Sequence, residues 1–167
     1  MGLGDDLKAK VKEIFQSSWT DRDGNVVPGD NSIGLGNDAV KLDAVVLYAD
    51  LVESTDLVNN RPRKFAAEVY KTYLYCAARV IGGEGGTITA YDGDRIMAVF
   101  LGGTKNTDAA RAALRINYVV TYIVNPALAT FRCELGGRQP VFVRIASRES
   151  CPNAQVFVDG GASDARW

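Results

Sequence analysis

The chain has no histidine among its 167 residues. That absence removes a Ser-His-Asp triad, an imidazole general base, and a zinc or haem site built on His. A metal, if one binds, rests mainly on oxygen ligands, which favours magnesium or manganese. Cysteine is scarce: Cys76, Cys133 and Cys151 form no CxxC pair and cannot all pair with one another. That usage fits a reducing compartment, so a cytoplasmic home is expected. Charge of one sign is not in excess either. Lys and Arg number 19 against 20 Asp and Glu, a net charge of −1. Such a balance argues against a nucleic-acid or anionic-membrane partner. No apolar run approaches the length of a membrane span, and the alternating charges of residues 1–12 do not resemble a secretory leader.

What remains is the composition of one folded domain, 47% hydrophobic and 23% charged. Residues 5–19 carry Leu7, Val11, Ile14 and Phe15 at helical spacing, which predicts an amphipathic helix for packing or dimerisation. Gly and Pro punctuate residues 20–38, which read as a loop or a pair of tight turns. Residues 41–50 hold the apolar run Ala44-Val45-Val46-Leu47-Tyr48, as expected of a central strand covered on both faces. Ser54 or Thr55 is placed to cap a helix just beyond it. Phe65, Val69, Tyr73, Ala77 and Ile81 recur every fourth residue, predicting a helix over 63–81 that the run Gly82-Gly83-Glu84-Gly85-Gly86 ends. Two short strands, 87–91 and 95–101, flank Asp92-Gly93 as a hairpin. A further helix is predicted over 106–124, ended by Asn125-Pro126. The order of elements gives an α+β fold or an α/β fold with a mixed sheet.

The tail from residue 131 onward differs. All seven lysines lie at or before Lys105, while the tail holds five arginines and two of the three cysteines. Only 141–145 and 155–158 read as strands there. The organisation is therefore an N-terminal helix and loop (1–40), a core (41–128) and a divergent tail (129–167).

Asp50 closes the buried strand and Asp94 follows Gly93 at the hairpin tip. If both strand ends share one sheet, the two carboxylates repel each other and favour a divalent cation between them. The helix start after Asp50 offers backbone N–H groups to phosphates. Carboxylates beside such donors suggest a nucleoside triphosphate with one or two metals. Each feature alone has a plainer reading, as a turn cap and an ordinary hairpin.

Tyr48-Ala49-Asp50-Leu51-Val52-Glu53-Ser54-Thr55 resembles the first metal-binding motif of the class III nucleotide cyclases, and Gly93-Asp94-Arg95-Ile96-Met97-Ala98-Val99-Phe100 resembles the second. The resemblance is closer still to the pyrimidine cyclases of the Pycsar antiphage defence system, the uridylate cyclases, and runs from about residue 7 to residue 128. It implies a ferredoxin-like α+β cyclase core that acts as a head-to-tail homodimer. It implies two Mn²⁺ or Mg²⁺ ions on Asp50, Asp94 and the Leu51 carbonyl. Backbone N–H groups of Val52, Glu53, Ser54 and Thr55 would cradle the β- and γ-phosphates. The ribose 3′-oxygen would attack the α-phosphorus and pyrophosphate would leave. The product would be an alarm signal read by a cyclic-nucleotide-sensing effector.

Base choice follows from departures. Purine cyclases of this class carry Phe at the Tyr48 position and Lys at the Ala90 position. Tyr48 adds a hydroxyl, and Ala90 removes the purine reader. Both resemble the enzymes that take UTP; relatives with Arg at the Tyr48 position look like CTP users, so a cytidylate cyclase stays as the alternative. The family's later Asn and Arg, which act on the transition state from the partner subunit, lie in a segment resembling Gly-Arg-Ala-Ala-Asn, and the sequence holds none. Arg144, Arg148 and Asn153 are not aligned with those roles. The expectation is a core incomplete at its C-terminal side, with an exposed strand edge, as a truncated or frameshifted reading of a longer gene would give. Two further readings stand beside the enzyme: an inactive metal- and nucleotide-binding remnant, and a purely structural dimerisation domain.

Overall fold

The structure is a computed structural model that describes residues 2–29, 32, 37–134 and 145–150. It divides into two compact units, residues 1–43 with 153–167, and residues 44–152.

In the first unit, helix α1 (Leu3–Gln16) ends three residues earlier than the apolar spacing predicts. Ser17 stops it: its Oγ donates to the Glu13 carbonyl at 2.7 Å, and its backbone N–H donates to the same oxygen at 3.0 Å. No residue of α1 is buried, so Leu7, Val11, Ile14 and Phe15 form an apolar stripe in solvent. The expected loop over 20–38 instead begins with a strand, β1 (Thr20–Gly24). It pairs in parallel with β2 (Asp38–Leu42), Thr20 opposite Asp38 and Gly24 opposite Leu42. Its sequence, TDRDG, is too polar to signal a strand by hydrophobic alternation. Asn37 ties the unit together by donating its Nδ2 to the carbonyls of Ile14 (3.2 Å) and Ser17 (2.7 Å).

The second unit is a four-stranded antiparallel sheet in the order β4 (Thr87–Asp92), β5 (Arg95–Leu101), β3 (Ala44–Leu51), β6 (Ile145–Ser150), with the helices α3 (Arg63–Gly83) and α4 (Lys105–Val119) packed on it. Strand β3 (Ala44–Leu51) starts after a break at Asp43, so the single strand expected over 41–50 is two strands. Helix α2 (Ser54–Asn60) follows, then α3 (Arg63–Gly83). In α3 the four-residue repeat faces the sheet: Val69, Tyr73, Ala77 and Ile81 are fully buried, and Phe65 packs beside them half-buried. Strands β4 (Thr87–Asp92) and β5 (Arg95–Leu101) form the expected hairpin. Asp92 pairs with Arg95, so the turn residues are Gly93 and Asp94. Gly93 takes φ 60°, the backbone that a two-residue hairpin turn demands at its first position and that glycine adopts without strain.

Helix α4 (Lys105–Val119) does not stop at Asn125-Pro126. It widens into a π-helical turn over Val120–Val124 and continues as α5 (Asn125–Glu134). Proline lacks an N–H and clashes with the carbonyl four residues back, and a π turn is one way a helix absorbs such a defect. Here the π turn immediately precedes Asn125-Pro126, within one continuous helical run. Glu84, just beyond α3, accepts from Arg111 Nε at 2.8 Å and also from Arg115, which clamps the end of α3 to α4.

Strand β6 (Ile145–Ser150) pairs antiparallel with β3, Leu51 opposite Ile145 and Val46 opposite Ser150. The edge of β3 that the sequence leaves uncovered is therefore covered by the tail. Residues 141–144 and 155–158, the remainder of the two strands expected there, lie outside the described residues.

Candidate active site

Strand β3 alternates. Val45, Leu47, Ala49 and Leu51 join the core cluster under α3 and α4, as do Ile96, Ala98 and Phe100 of β5. Tyr48 and Asp50 therefore point to the opposite face, with their directly opposed partners Met97 and Arg95. Because Asp50 pairs with Arg95, the residue that precedes Arg95, Asp94, lies at the same end of the sheet. The register of β3 on β5 thus brings together the two carboxylates that stand 44 positions apart in the chain. Both are half-buried. Asp50 already holds a cation, since Arg95 Nη2 lies 3.2 Å from its Oδ2. Among the described residues no cation pairs with Asp94.

Leu51 is buried, and the chain then turns through exposed Val52 and Glu53 into α2. Glu53 sits at φ 61°, ψ 29°, in the left-handed region, the one non-glycine residue with positive φ among those described. It is the N-cap of α2, and no side chain caps the helix. Ser54 and Thr55, expected as caps, are instead the first two helical residues. The Glu53 carbonyl accepts from the N–H groups of Asp56 (3.1 Å) and Leu57 (3.2 Å). The N–H groups of Ser54 and Thr55 precede these and have no acceptor within the helix. Tyr70 of α3 donates its hydroxyl to the Ser54 carbonyl at 3.2 Å and so holds this turn against the longer helix.

Tyr48 is half-buried two residues before Asp50. Met97 lies opposite it on β5, and Ala90 lies opposite Met97 on β4. The two positions singled out for base choice thus belong to one cross-strand row with Met97 between them.

Two features of this region are not legible in the sequence. One is Arg95 on Asp50. The other is Tyr73, fully buried, whose hydroxyl has no hydrogen-bond partner in the structure. Burial above all, then the Asp50 and Asp94 carboxylates, raise its pKa. Nothing in the α3 spacing separates Tyr73 from an ordinary core aromatic; the one signal was a polar tip at a position facing the sheet.

The donor set fits a hard divalent cation. Among the described residues no group of three or more His, Cys, Asp or Glu comes together. Two carboxylates and a backbone carbonyl are what a magnesium-type ion uses when substrate phosphates and water complete its shell. No helix among the described residues is long and apolar enough to cross a membrane.

No protein-family model matches the chain. Among solved structures, a class III adenylyl cyclase-like ATP-binding protein from Pseudomonas aeruginosa superposes with a TM-score of 0.63 over 87% of this chain and 32% of its own, at 15% identity. The adenylyl cyclase CyaB from P. aeruginosa superposes at 0.52 over 64% of this chain and 54% of its own, at 16% identity. The fold is that of the class III nucleotide cyclases. Curated relatives place the chain more narrowly. The uridylate cyclase of Xanthomonas perforans is 50% identical over 127 residues, which is 75% of this chain and 55% of that protein. The uridylate cyclase of Burkholderia cepacia is 50% identical over 131 residues, 77% of this chain and 57% of that protein. The chain thus has the fold of the class III cyclases and is similar in sequence to uridylate cyclases, and it spans about half the length of the curated relatives it matches.

Proposed function

We propose that this protein acts as a uridylate cyclase, converting UTP to 3′,5′-cyclic UMP and pyrophosphate. The observation that carries the reading is the β3–β5 register, which sets Asp50 and Asp94 at one sheet end beside the 51–55 turn. Asp50, Asp94 and the Leu51 carbonyl are the groups to hold two Mn²⁺ or Mg²⁺ ions. Bound there, such ions supply positive charge to the triphosphate and lower the pKa of the ribose 3′-hydroxyl. Backbone N–H groups of Val52, Glu53, Ser54 and Thr55 orient the β- and γ-phosphates. The 3′-oxygen attacks the α-phosphorus, its proton passes to water, and the bond from that phosphorus to the β-phosphate oxygen breaks. Tyr48 presents a hydroxyl that can donate to or accept from the pyrimidine edge, and Ala90 leaves space where a longer side chain would reach a purine.

The catalytic portion runs over 41–128, preceded by the N-terminal helix and loop of 1–40, and works in the cytoplasm as a head-to-tail homodimer with its sites at the interface. The cyclic product serves as a messenger in antiphage defence, read by a separate effector.

A second reading rests on the absence of any Gly-Arg-Ala-Ala-Asn-like segment in the sequence. In that reading the same site binds metal and nucleotide without turnover. One experiment separates the two. The purified chain is incubated with ATP, GTP, CTP and UTP in Mn²⁺, and products are separated by liquid chromatography and mass spectrometry. Cyclic UMP from UTP, lost in Asp50→Ala and Asp94→Ala, is the expected result. A melting temperature raised by UTP and Mn²⁺ without product supports the binding module. Cyclic CMP alone assigns a cytidylate cyclase. Neither binding nor product rejects the nucleotide site.

A further inference from the structure

Tyr73 is an anomaly in the core. It belongs to the same buried cluster as Leu47, Ala49, Ile96 and Ala98, it has no exposed surface, and its hydroxyl meets no acceptor. A buried hydroxyl without a partner destabilises the protein unless some state of the molecule satisfies it. Aromatic side chains on a helix lean toward its N-terminus. For α3 that is the end next to α2 and the Asp50 turn, where Tyr70 already bonds the Ser54 carbonyl. The carboxylates whose charge bears on the Tyr73 hydroxyl are Asp50 and Asp94. Alternation along β3 puts Asp50 on the face away from α3 and its Oδ2 on Arg95. Asp94, in the turn, is bound to neither face by strand alternation and has no cation among the described residues. An unpaired donor and an unpaired acceptor thus stand in each other's field.

We propose that Tyr73 is a positioning residue of the carboxylate site: when Asp50 and Asp94 converge on a divalent cation, the Tyr73 hydroxyl donates to the Asp94 carboxylate and holds it in its ligating orientation. The inference rests on the cation site put forward above. A carboxylate that ligates through one oxygen and accepts through the other loses its freedom to rotate, and such supporting bonds govern metal affinity. The burial of the phenol keeps it protonated, and so a donor, through the neutral range.

The test is Tyr73→Phe in the full chain, with thermal melting followed across a Mn²⁺ titration and free Mn²⁺ read by electron paramagnetic resonance. Without metal the variant melts at or above the wild type, because an unsatisfied hydroxyl is gone. With metal it needs roughly 10- to 100-fold more Mn²⁺ for half-saturation. An unchanged Mn²⁺ dependence beside a wild type that binds overturns the inference alone. A lower melting point without metal also overturns it, since the hydroxyl then has a partner in the metal-free protein. A wild type that binds no Mn²⁺ removes the cation site and this inference with it.

Discussion

Asp50 and Arg95 stand directly opposite each other across the β3–β5 ladder, and the guanidinium reaches the carboxylate at 3.2 Å. One half of the carboxylate pair thus carries a built-in cation, while among the described residues the other half, Asp94, has none. The pair is partly exposed, 46% for Arg95 and 33% for Asp50, so it contributes little to stability. Its consequence for the proposed cation site is competitive: a metal ion at Asp50 would have to displace or share with Arg95.

Arg95→Ala is therefore expected to change the unfolding free energy by less than roughly 1 kcal/mol in urea denaturation. The same variant takes up Mn²⁺ at lower concentration than the wild type, because the resident positive charge is gone. Weaker Mn²⁺ uptake in the variant would instead make Arg95 a support for the loaded site.

Tyr48→Phe keeps the ring in its half-buried place opposite Met97 and removes only the hydroxyl. One hydrogen bond contributes on the order of 1 kcal/mol, so the proposed preference for UTP over CTP is expected to shrink about fivefold. Nucleotide-dependent melting in Mn²⁺ reads this. Unchanged discrimination would move base choice to another residue.

Gly86→Ala tests the packing under the hairpin. A Cβ there meets Phe100 Cζ at 2.6 Å and Ile81 Cγ2 at 2.8 Å. Both neighbours are buried and cannot swing away, so a loss of roughly 1–3 kcal/mol is expected. Gly82→Ala is the matched control, because nothing lies within 4 Å of its Cβ and the residue is helical. It leaves stability unchanged or raises it by up to ~1 kcal/mol. Equilibrium unfolding of the two variants beside the wild type measures the contrast.

Cys76 is half-buried on α3, and burial pushes its thiol pKa up. A raised pKa means less thiolate at any pH below it, so alkylation by iodoacetamide at pH 8 is expected to be slower than for a small-molecule thiol. The sign also sets stability: the neutral thiol is favoured in the folded state, and this contribution fades as pH rises past the ordinary thiol value. Peptide mapping of the Cys76 modification with time, native against denatured, checks it. Equal rates in both states would mean that burial does not protect the thiol.

Much of the architecture was legible because it is written in local chemistry. The repeat Val69, Tyr73, Ala77, Ile81 specifies which face of α3 is buried, and Asp92-Gly93 between β-rich runs marks the hairpin to within one residue. β1 was not legible, because a polar strand held by backbone pairing leaves no hydrophobic alternation. The helix beyond Pro126 was not legible either, since proline as a stop signal says nothing of a π turn that absorbs it. The covering of β3 by β6 joins segments about a hundred residues apart, and no local pattern encodes such a pairing.

For the site, residue type and local pattern supply the ingredients: two carboxylates at strand ends, a turn into a short helix, a tyrosine two residues before the first carboxylate, and no histidine. These are matters of residue type and neighbourhood. Three-dimensional packing adds that Asp50 faces Arg95, that Tyr48, Met97 and Ala90 form one row, and that Tyr73 is buried with its hydroxyl unpaired. Each depends on strand register and on the depth at which a helix sits against a sheet. Both come from packing across the whole core, so residues far apart in the chain settle them together.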